Sequence, residues 1–588
     1  MTKAFLVLMV LAVLAIYFRA GSYGFTAWDD PGYVAENEEL AALNGQQVKA
    51  QFTQYVMGNY HPITMLSYAA EIRLFGKDPH VMHRTNILLH CINCLLVFLF
   101  LRSLTGDQRL AAFAALLFAV HPMRVESVAW ISGRKDLLML LFSLICLLTW
   151  LGWIRTRKGW MYALAVVAFA LACLSKAMAV AIAPTLLLVD HFTITSKKAR
   201  SNWKGTVPMF LIALAVGVVA VMAQSEMKAM DQVGTQTKLR IIGALANLPI
   251  YLGQQFVPVE LSAHYGYPGL VDGKPSLLYL ALAILTVVGT WYVVRKRPPR
   301  IIILALLFFL FNIILVLQAL PVGYALRADR YTYVAGIGWA IMAVMLLREV
   351  SLRLDGGRTR GIPILVASYA LLLGMVAFHR VPVWTDALSV WNDILEHRPD
   401  AGNIYMSRGL TLSKAGRYEE ALADLDRSVA LRPPQQTIPI YHRAMLHLRL
   451  THYEEAITDL EHILRLGERP PGVVPNMVYA KMKAGRCDEV IDDVDTYLDQ
   501  VQGTVDLLNL RAWCLLKKGR GQEAAHDIER SLSLGSDYAA IHFLNALEEL
   551  SHADTTEACA ALQESTKWGL ADEDWKLERD RLLHQYCP

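Results

Sequence analysis

The chain of 588 residues is 55% hydrophobic and 18% charged, with a formal net charge of +4 and a mean hydropathy of +0.34. An ordinary soluble domain carries about 25% charged residues, so this composition excludes a disordered chain and a simple soluble enzyme. The small net charge argues against a nucleic-acid partner, and eight cysteines are too sparse for a disulfide scaffold.

Apolar runs alternate with short polar links from Met1 to about Phe378, and the runs then stop. A boundary near Val381-Pro382 divides the chain into a membrane half, 1–380, and a soluble half, 381–588. A crossing helix needs roughly 20 mostly apolar residues, because a helix rises about 1.5 Å per residue through about 30 Å of hydrocarbon. Candidate spans are 4–20, 84–104, 109–121, 136–154, 160–174, 177–190, 206–223, 277–294, 301–318, 331–347 and 361–378. The stretch Ile241–Val257 contains Asn247, Pro249, Gln254 and Gln255 and reads as a re-entrant or interfacial helix.

Lysines and arginines mark cytoplasmic loops. Lys3, Arg102, Arg109, Arg155, Arg157 and Lys158 fall on one side, with Lys197, Lys198, Arg200, Lys204, Arg295, Arg300, Arg348 and Arg358. This gives about eleven crossings, a cytoplasmic N-terminus held by a retained first span, and an outer C-terminal half.

The soluble half repeats at about 34 residues, the tetratricopeptide (TPR) period. Tyr418-Glu419-Glu420-Ala421 recurs as Tyr453-Glu454-Glu455-Ala456, and weaker copies follow at about 473–503, 505–535 and 538–571. Small residues (Gly409, Ala421, Ala444, Ala456) let paired helices approach, and each hairpin buries its apolar face on its neighbour. The fold class is therefore all-α: a polytopic membrane bundle followed by a soluble TPR α-solenoid that docks protein. Cys487, Cys514, Cys559 and Cys587 lie in that solenoid, and their pairing is not readable from sequence.

The chemistry-bearing residues fall in the outer loops of the membrane half. Trp28-Asp29-Asp30-Pro31-Gly32 puts two carboxylates directly after a span, where ionised groups are costly and usually functional, although Asp-Pro-Gly is also turn chemistry. Asn59-Tyr60-His61-Pro62 follows, with Glu71 and Arg73 beyond it on a helical stretch that also reads as an interfacial helix. His121-Pro122-Met123-Arg124-Val125-Glu126 leads to Arg134, Lys135 and Asp136, five charges that either pair among themselves or make an anion site. Lys176 stands at an outer boundary, where a lysine can also snorkel. Arg327-Ala328-Asp329-Arg330-Tyr331 sets two guanidinium groups three residues apart; such forks suit phosphate oxygens, and also suit an aromatic belt. Cations, carboxylates, histidines and aromatics at one membrane face fit work on a polyprenyl-phosphate sugar, with cations holding phosphate and a carboxylate as base.

These residues carry a resemblance. The membrane half resembles the GT-C glycosyltransferases and, more closely, is similar to the TPR-containing membrane O-mannosyltransferases (the TMTC family) and their bacterial relatives. The matching pieces are WDD (28–30), NYHP (59–62), HPMRVESVAWISGRKD (121–136), LSKAMAV (174–180) and RADRYTY (327–333), followed by the repeats. The resemblance implies an inverting transfer of mannose or a related hexose from a polyprenyl phosphate to Ser or Thr of exported proteins. Asp29 or Asp30 is then the base, with Asp29 favoured. Arg134, Lys135, Arg327 and Arg330 become phosphate contacts, and His61, His121, Arg124, Glu126, Asp329 and Tyr331 shape the pocket. NYHP stands where eukaryotic relatives commonly carry Arg-Pro. No cofactor and no metal is expected, with a divalent ion on Asp29 and Asp30 as the alternative. Expected partners are membrane lipid, the lipid-linked donor and an acceptor protein, in a bacterial inner membrane with the site outside. A non-catalytic scaffold, and transfer to a glycan or lipid or of a whole oligosaccharide, are the rival readings.

Overall fold

The computed structural model describes residues 2–40, 44–193, 202–226, 237–266, 276–318, 326–354, 359–433, 436–498, 504–534, 539–567 and 569–587. Lys197, Lys198, Arg200, Arg358, Tyr324 and Ala325 lie outside them. The described residues hold no strand, only isolated bridges at Val56–Asn59 and Tyr265–Arg327. The chain divides into two compact units, Met1–Arg398 and Pro399–Pro588. This division falls later than 380/381 because the segment after the last apolar helix stays with the first unit. Trp384 stacks on Trp130, Arg380 pairs with Asp393, and Asp393 accepts from the Ala263 N–H at 2.9 Å.

The first unit is helical. Its helices are α1 (Thr2–Tyr17), α2 (Gly45–Thr53), α3 (Pro62–Phe75), α4 (Pro79–Thr105), α5 (Gln108–Ala119), α6 (Val125–Ala129), α7 (Arg134–Thr156) and α8 (Gly159–Ser175). There follow α9 (Ile182–Thr193), α10 (Val207–Glu226), α11 (Thr237–Phe256), α12 (Leu277–Lys296), α13 (Arg300–Ile313), α14 (Gly336–Leu354), α15 (Ile362–Arg380) and α16 (Ala387–His397). Local chemistry sets the boundaries. Asp78 caps α4 by accepting from the His80 N–H at 2.8 Å, Pro79 fills its first position, and left-handed Gly106 ends it. Asp107 then caps α5, so a two-residue link reverses the chain.

Among the described residues, six helices are long and apolar enough to cross a membrane, or seven if the pair 108–119 and 122–129, bent by 64°, is one broken span. This is fewer than the eleven expected. Gly159–Ser175, Ala177–Thr193 and Arg300–Val316 are apolar but shorter, and α14 carries Arg348, Glu349 and Arg353 in its last turns. Residues 241–256 of that stretch belong to α11, which contains Pro249 and is not among the six. Between helices in lipid the hydrophobic drive is absent, so close packing must hold them. Gly338 shows this: a Cβ there would lie 2.4 Å from the Ala305 carbonyl oxygen, so only glycine lets α14 meet α13.

The second unit is built of helix pairs: α17 (Gly402–Lys414) with α18 (Tyr418–Leu431), α19 (Thr437–Arg449) with α20 (Tyr453–Arg465), and α21 (Val473–Lys483) with α22 (Cys487–Tyr497). Two more pairs follow, α23 (Thr504–Lys517) with α24 (Gly521–Ser533) and α25 (Ala539–Ser551) with α26 (Thr555–Thr566), before a closing α27 (Glu573–Tyr586). Ala421, Ala444 and Ala456 are fully buried at the crossings. A bidentate Arg–Asp pair, with the arginine on the first helix and the aspartate on the second, recurs as Arg408–Asp424, Arg443–Asp459 and Arg511–Asp527. Disulfides join Cys487 to Cys514 and Cys559 to Cys587.

Candidate active site

The segment from His121 to Asp136 is not an open loop. It folds as a 3-10 turn, α6 and a second 3-10 turn, and all of it is buried. Gly133 makes this possible, since a Cβ there would sit 2.5 Å from the Ser127 carbonyl oxygen. Its five charges do not pair with one another. Each finds a partner brought from elsewhere by the fold.

Asp30 is fully buried and is held by four donors. These are the Thr26 N–H and hydroxyl, each at 2.9 Å, and the Ser132 N–H and hydroxyl at 3.1 and 2.5 Å. Burial pushes its carboxyl above the ordinary value, and the hydrogen bonds pull it back. Asp30 thus clamps the first outer loop to the buried segment. Asp29, beside it, is turned elsewhere: its side chain keeps 21% of its surface and accepts from Lys135 Nζ at 3.1 Å.

From Lys135 a row of cations and rings runs through the site. Its ammonium lies 4.4 Å from the Tyr33 ring centroid and 5.2 Å from that of Trp130. The Arg330 guanidinium stands 5.5 Å from Trp130 and 5.1 Å from Tyr331. Lys176 lies 5.7 Å from the same Tyr331 ring. The three cations are near enough to repel one another. Each has one acid: Lys135 has Asp29, Arg330 has Glu126 through side chain and backbone, and Lys176 has Asp136 at 2.6 Å. His61 packs edge-on to Tyr33, is 5% exposed, and its Nε2 has no partner among the described residues. Burial, aided by Lys135 and Lys176, lowers its pKa to about 3, so its ring is neutral at pH 7. The half-buried Trp28, next to Asp29, adjoins Trp130, His264 and Trp391.

Other expected residues serve other partners. Arg134 is enclosed: it pairs with Glu71 at 2.6 Å and donates to Asn86 Oδ1 and the Met82 carbonyl at 2.9 and 3.0 Å. Arg124 donates to the Thr332 carbonyl and to Gln255 Oε1 at 2.6 and 2.8 Å, and Gly336 leaves room for it. His121 meets the Gln255 carbonyl through Nε2 and accepts from the Met123 N–H at Nδ1. Arg327 lies over the Tyr265 ring and donates to Gln254. Asp329 accepts from the Tyr265 hydroxyl at 2.9 Å, and burial, then Glu126, push its pKa up to about 7.

Glu71, Gln255, Tyr265, Ser132 and Tyr33 therefore complete the site although sequence reasoning gave them no role. Glu71 and Gln255 were visible as polar residues in apolar stretches. Tyr265 carries no such signal. All four bonds to Asp30 come from Thr26 and Ser132, and a lysine ammonium meets Asp29. The first outer loop also walls a cavity of about 880 Å³ lined by Gly32, Glu36, Tyr55 and Met57, and Asp29 is not in its lining.

The family model for dolichyl-phosphate-mannose-protein mannosyltransferase matches residues 61–223, and that for the tetratricopeptide repeat matches 384–435. The protein O-mannosyl-transferase F38B6.6 of Caenorhabditis elegans is 22% identical over 395 residues, 64% of this chain and 54% of the relative. Protein O-mannosyl-transferase TMTC3 of Homo sapiens is 21% identical over 478 residues, 72% of this chain and 51% of the relative. TMTC1 of Mus musculus is 38% identical over a shorter stretch of 93 residues, 16% of this chain and 10% of the relative. At best, then, the chain spans about half the length of these curated relatives. The apo oligosaccharyltransferase of Archaeoglobus fulgidus aligns at 16% identity over 67% of this chain and 57% of its own, with a TM-score of 0.36, too low to carry an argument. Motifs and matches agree on one resemblance: this chain is similar to the TPR-containing membrane protein O-mannosyl-transferases.

Proposed function

We propose that this integral-membrane protein is a glycosyltransferase that moves mannose or a related hexose from a polyprenyl phosphate to Ser or Thr hydroxyls of exported proteins. The observation that supports it most directly is Asp29, a partly accessible carboxylate at the end of a row of three cations. In this reading Lys135, Arg330 and Lys176 hold the donor phosphate. Asp29 takes the proton of the acceptor hydroxyl as its oxygen attacks the anomeric carbon from the face opposite the phosphate. The carbon–oxygen bond to phosphate breaks, its electron pair leaves with the polyprenyl phosphate, and the configuration inverts. Growing charge on the departing phosphate is stabilised by the same cations. Asp30 acts by holding Asp29 in place. The TPR unit captures the acceptor protein.

The two disulfides in the TPR unit favour an oxidising compartment. Together with the distribution of lysine and arginine they support a TPR unit and a site outside the cytoplasm; in this reading the membrane is a bacterial inner membrane. The test is transfer from radiolabelled polyprenyl-phosphate mannose to an unfolded acceptor protein. Asp29→Asn should lower kcat at least a hundredfold with little change in donor KM, while Lys135→Gln should raise donor KM. Unchanged kcat in Asp29→Asn refutes the assigned base. Equal transfer to free glycan or lipid refutes the protein acceptor.

A further inference from the structure

A second cationic cavity lies at the other end of the bundle. Lys135 and Arg155 sit on one helix, α7, about 30 Å apart along its axis, the thickness of a hydrocarbon layer. The cavity at the Arg155 end has a volume of about 570 Å³ and is lined by the C-terminal ends of α4, α7 and α9 and the N-terminal end of α13. Arg155 and Arg157 at the end of α7 and Arg300 at the start of α13 converge on it.

The bonds these arginines make are to neutral groups. Arg155 donates to the Ser103 hydroxyl at 2.8 Å and also meets the Ser103 carbonyl. Arg157 donates to Asn202 Oδ1 at 2.5 Å, and Arg300 to the His191 carbonyl at 3.2 Å. Among the described residues no carboxylate pairs with any of the three. Asp190 is the acid in the lining, and it accepts from the Asn202 backbone and side chain at 2.9 and 2.7 Å, which fixes the cavity wall. Arginine at a helix C-terminus offsets the dipole, and that would account for Arg155 and Arg157. Arg300 opens α13, yet its guanidinium meets the His191 carbonyl in the last turn of α9, so three arginines gather where helix C-termini meet, with one carboxylate, Asp190, in the lining.

Apolar neighbours fix the depth. Trp153 carries Arg157 over its ring at 5.2 Å and packs on Tyr162 and on the fully buried Trp150. Phe192, beneath Arg300, adds an apolar floor.

We infer that this cavity binds the phosphate headgroup of an anionic phospholipid at the membrane face opposite Asp29. Planar guanidinium forks suit phosphate oxygens, and basic pockets between spanning helices suit anionic headgroups. Leu104, Ile154, Phe192 and Ile301 in the lining supply the apolar surface that an acyl-bearing ligand needs and a free anion does not. The inference is independent of the transfer reaction.

The test is native mass spectrometry of the full chain in neutral detergent, titrated with phosphatidylglycerol or phosphatidylcholine. The wild type should retain one phosphatidylglycerol with at least tenfold preference over phosphatidylcholine. Arg155→Gln/Arg157→Gln/Arg300→Gln should lose that preference while keeping the unfolding temperature it shows in phosphatidylcholine bicelles. If the triple variant does not fold, Arg300→Gln alone should cut the preference severalfold. Equal preference in wild type and Arg300→Gln overturns the site. Protection by inorganic phosphate as strong as that by phosphatidylglycerol, lost in the same variants, overturns the lipid as its ligand.

Discussion

Arg134 separates two readings of this membrane half. By motif it is a phosphate contact; by structure it is half of a buried ion pair. Its side chain is 1% exposed and that of Glu71 7%, with 2.6 Å between them. The guanidinium also lies 4.6 Å from the Tyr68 ring and donates to Asn86 and the Met82 carbonyl. Removing one partner of such a pair leaves an uncompensated charge away from water, a loss of about 3–5 kcal/mol. Glu71→Gln and Arg134→Gln should each destabilise the fold by that amount. The double variant Glu71→Gln/Arg134→Gln should lose less than the sum, with a coupling energy of about 1–3 kcal/mol. Thermal unfolding in neutral detergent, followed by tryptophan fluorescence, gives the stabilities. Initial rates at varied donor concentration give KM, which should change less than twofold in the protein that remains folded. An Arg134→Gln protein of unchanged stability with a tenfold higher donor KM would refute the argument and return Arg134 to the phosphate.

Asp329 should make stability depend on pH. Its folded pKa is raised to about 7 by burial, with Glu126 adding to the rise and Arg380, Tyr265 and Arg327 opposing it. The folded chain therefore holds a proton that the unfolded chain releases near pH 4, so this group's contribution to stability falls as pH rises from about 4 to 7 and is flat above. Asp329→Asn should flatten the slope of unfolding temperature against pH in that window, and an unaltered slope would show that another group sets it. The TPR unit should show its disulfides by thiol titration of the denatured chain: four thiols before reduction, from Cys91, Cys94, Cys146 and Cys173, and eight after. Cys487→Ser/Cys514→Ser opens a closed loop of sequence separation 27. It should cost about 3–4 kcal/mol, and an unshifted unfolding transition of the full chain would contradict that.

Sequence by itself determined the elements whose cause is local. Apolar runs of membrane length, Asp78-Pro79 and Gly106-Asp107 as helix ends, and the 34-residue repeat with its small residues are periodicity and capping, and they need no knowledge of distant chain. The Arg–Asp pair recurring across helix hairpins was also present in the sequence, as three identical spacings, and was readable once the helices were paired. The list of charged outer residues was legible for the same reason, since a charge between two apolar runs stands out. Tertiary structure decided which of those charges face a ligand and which face one another. Asp29 and Asp30 are neighbours in the chain, yet one meets Lys135 and keeps some exposure while the other is consumed by Thr26 and Ser132. Arg134 and Lys135 are neighbours too, yet the helix turns one to Glu71 and the other to Asp29. Adjacent residues on a helix point about 100° apart, so a motif names the chemistry available, and only packing assigns each side chain to the cavity or to the protein that surrounds it.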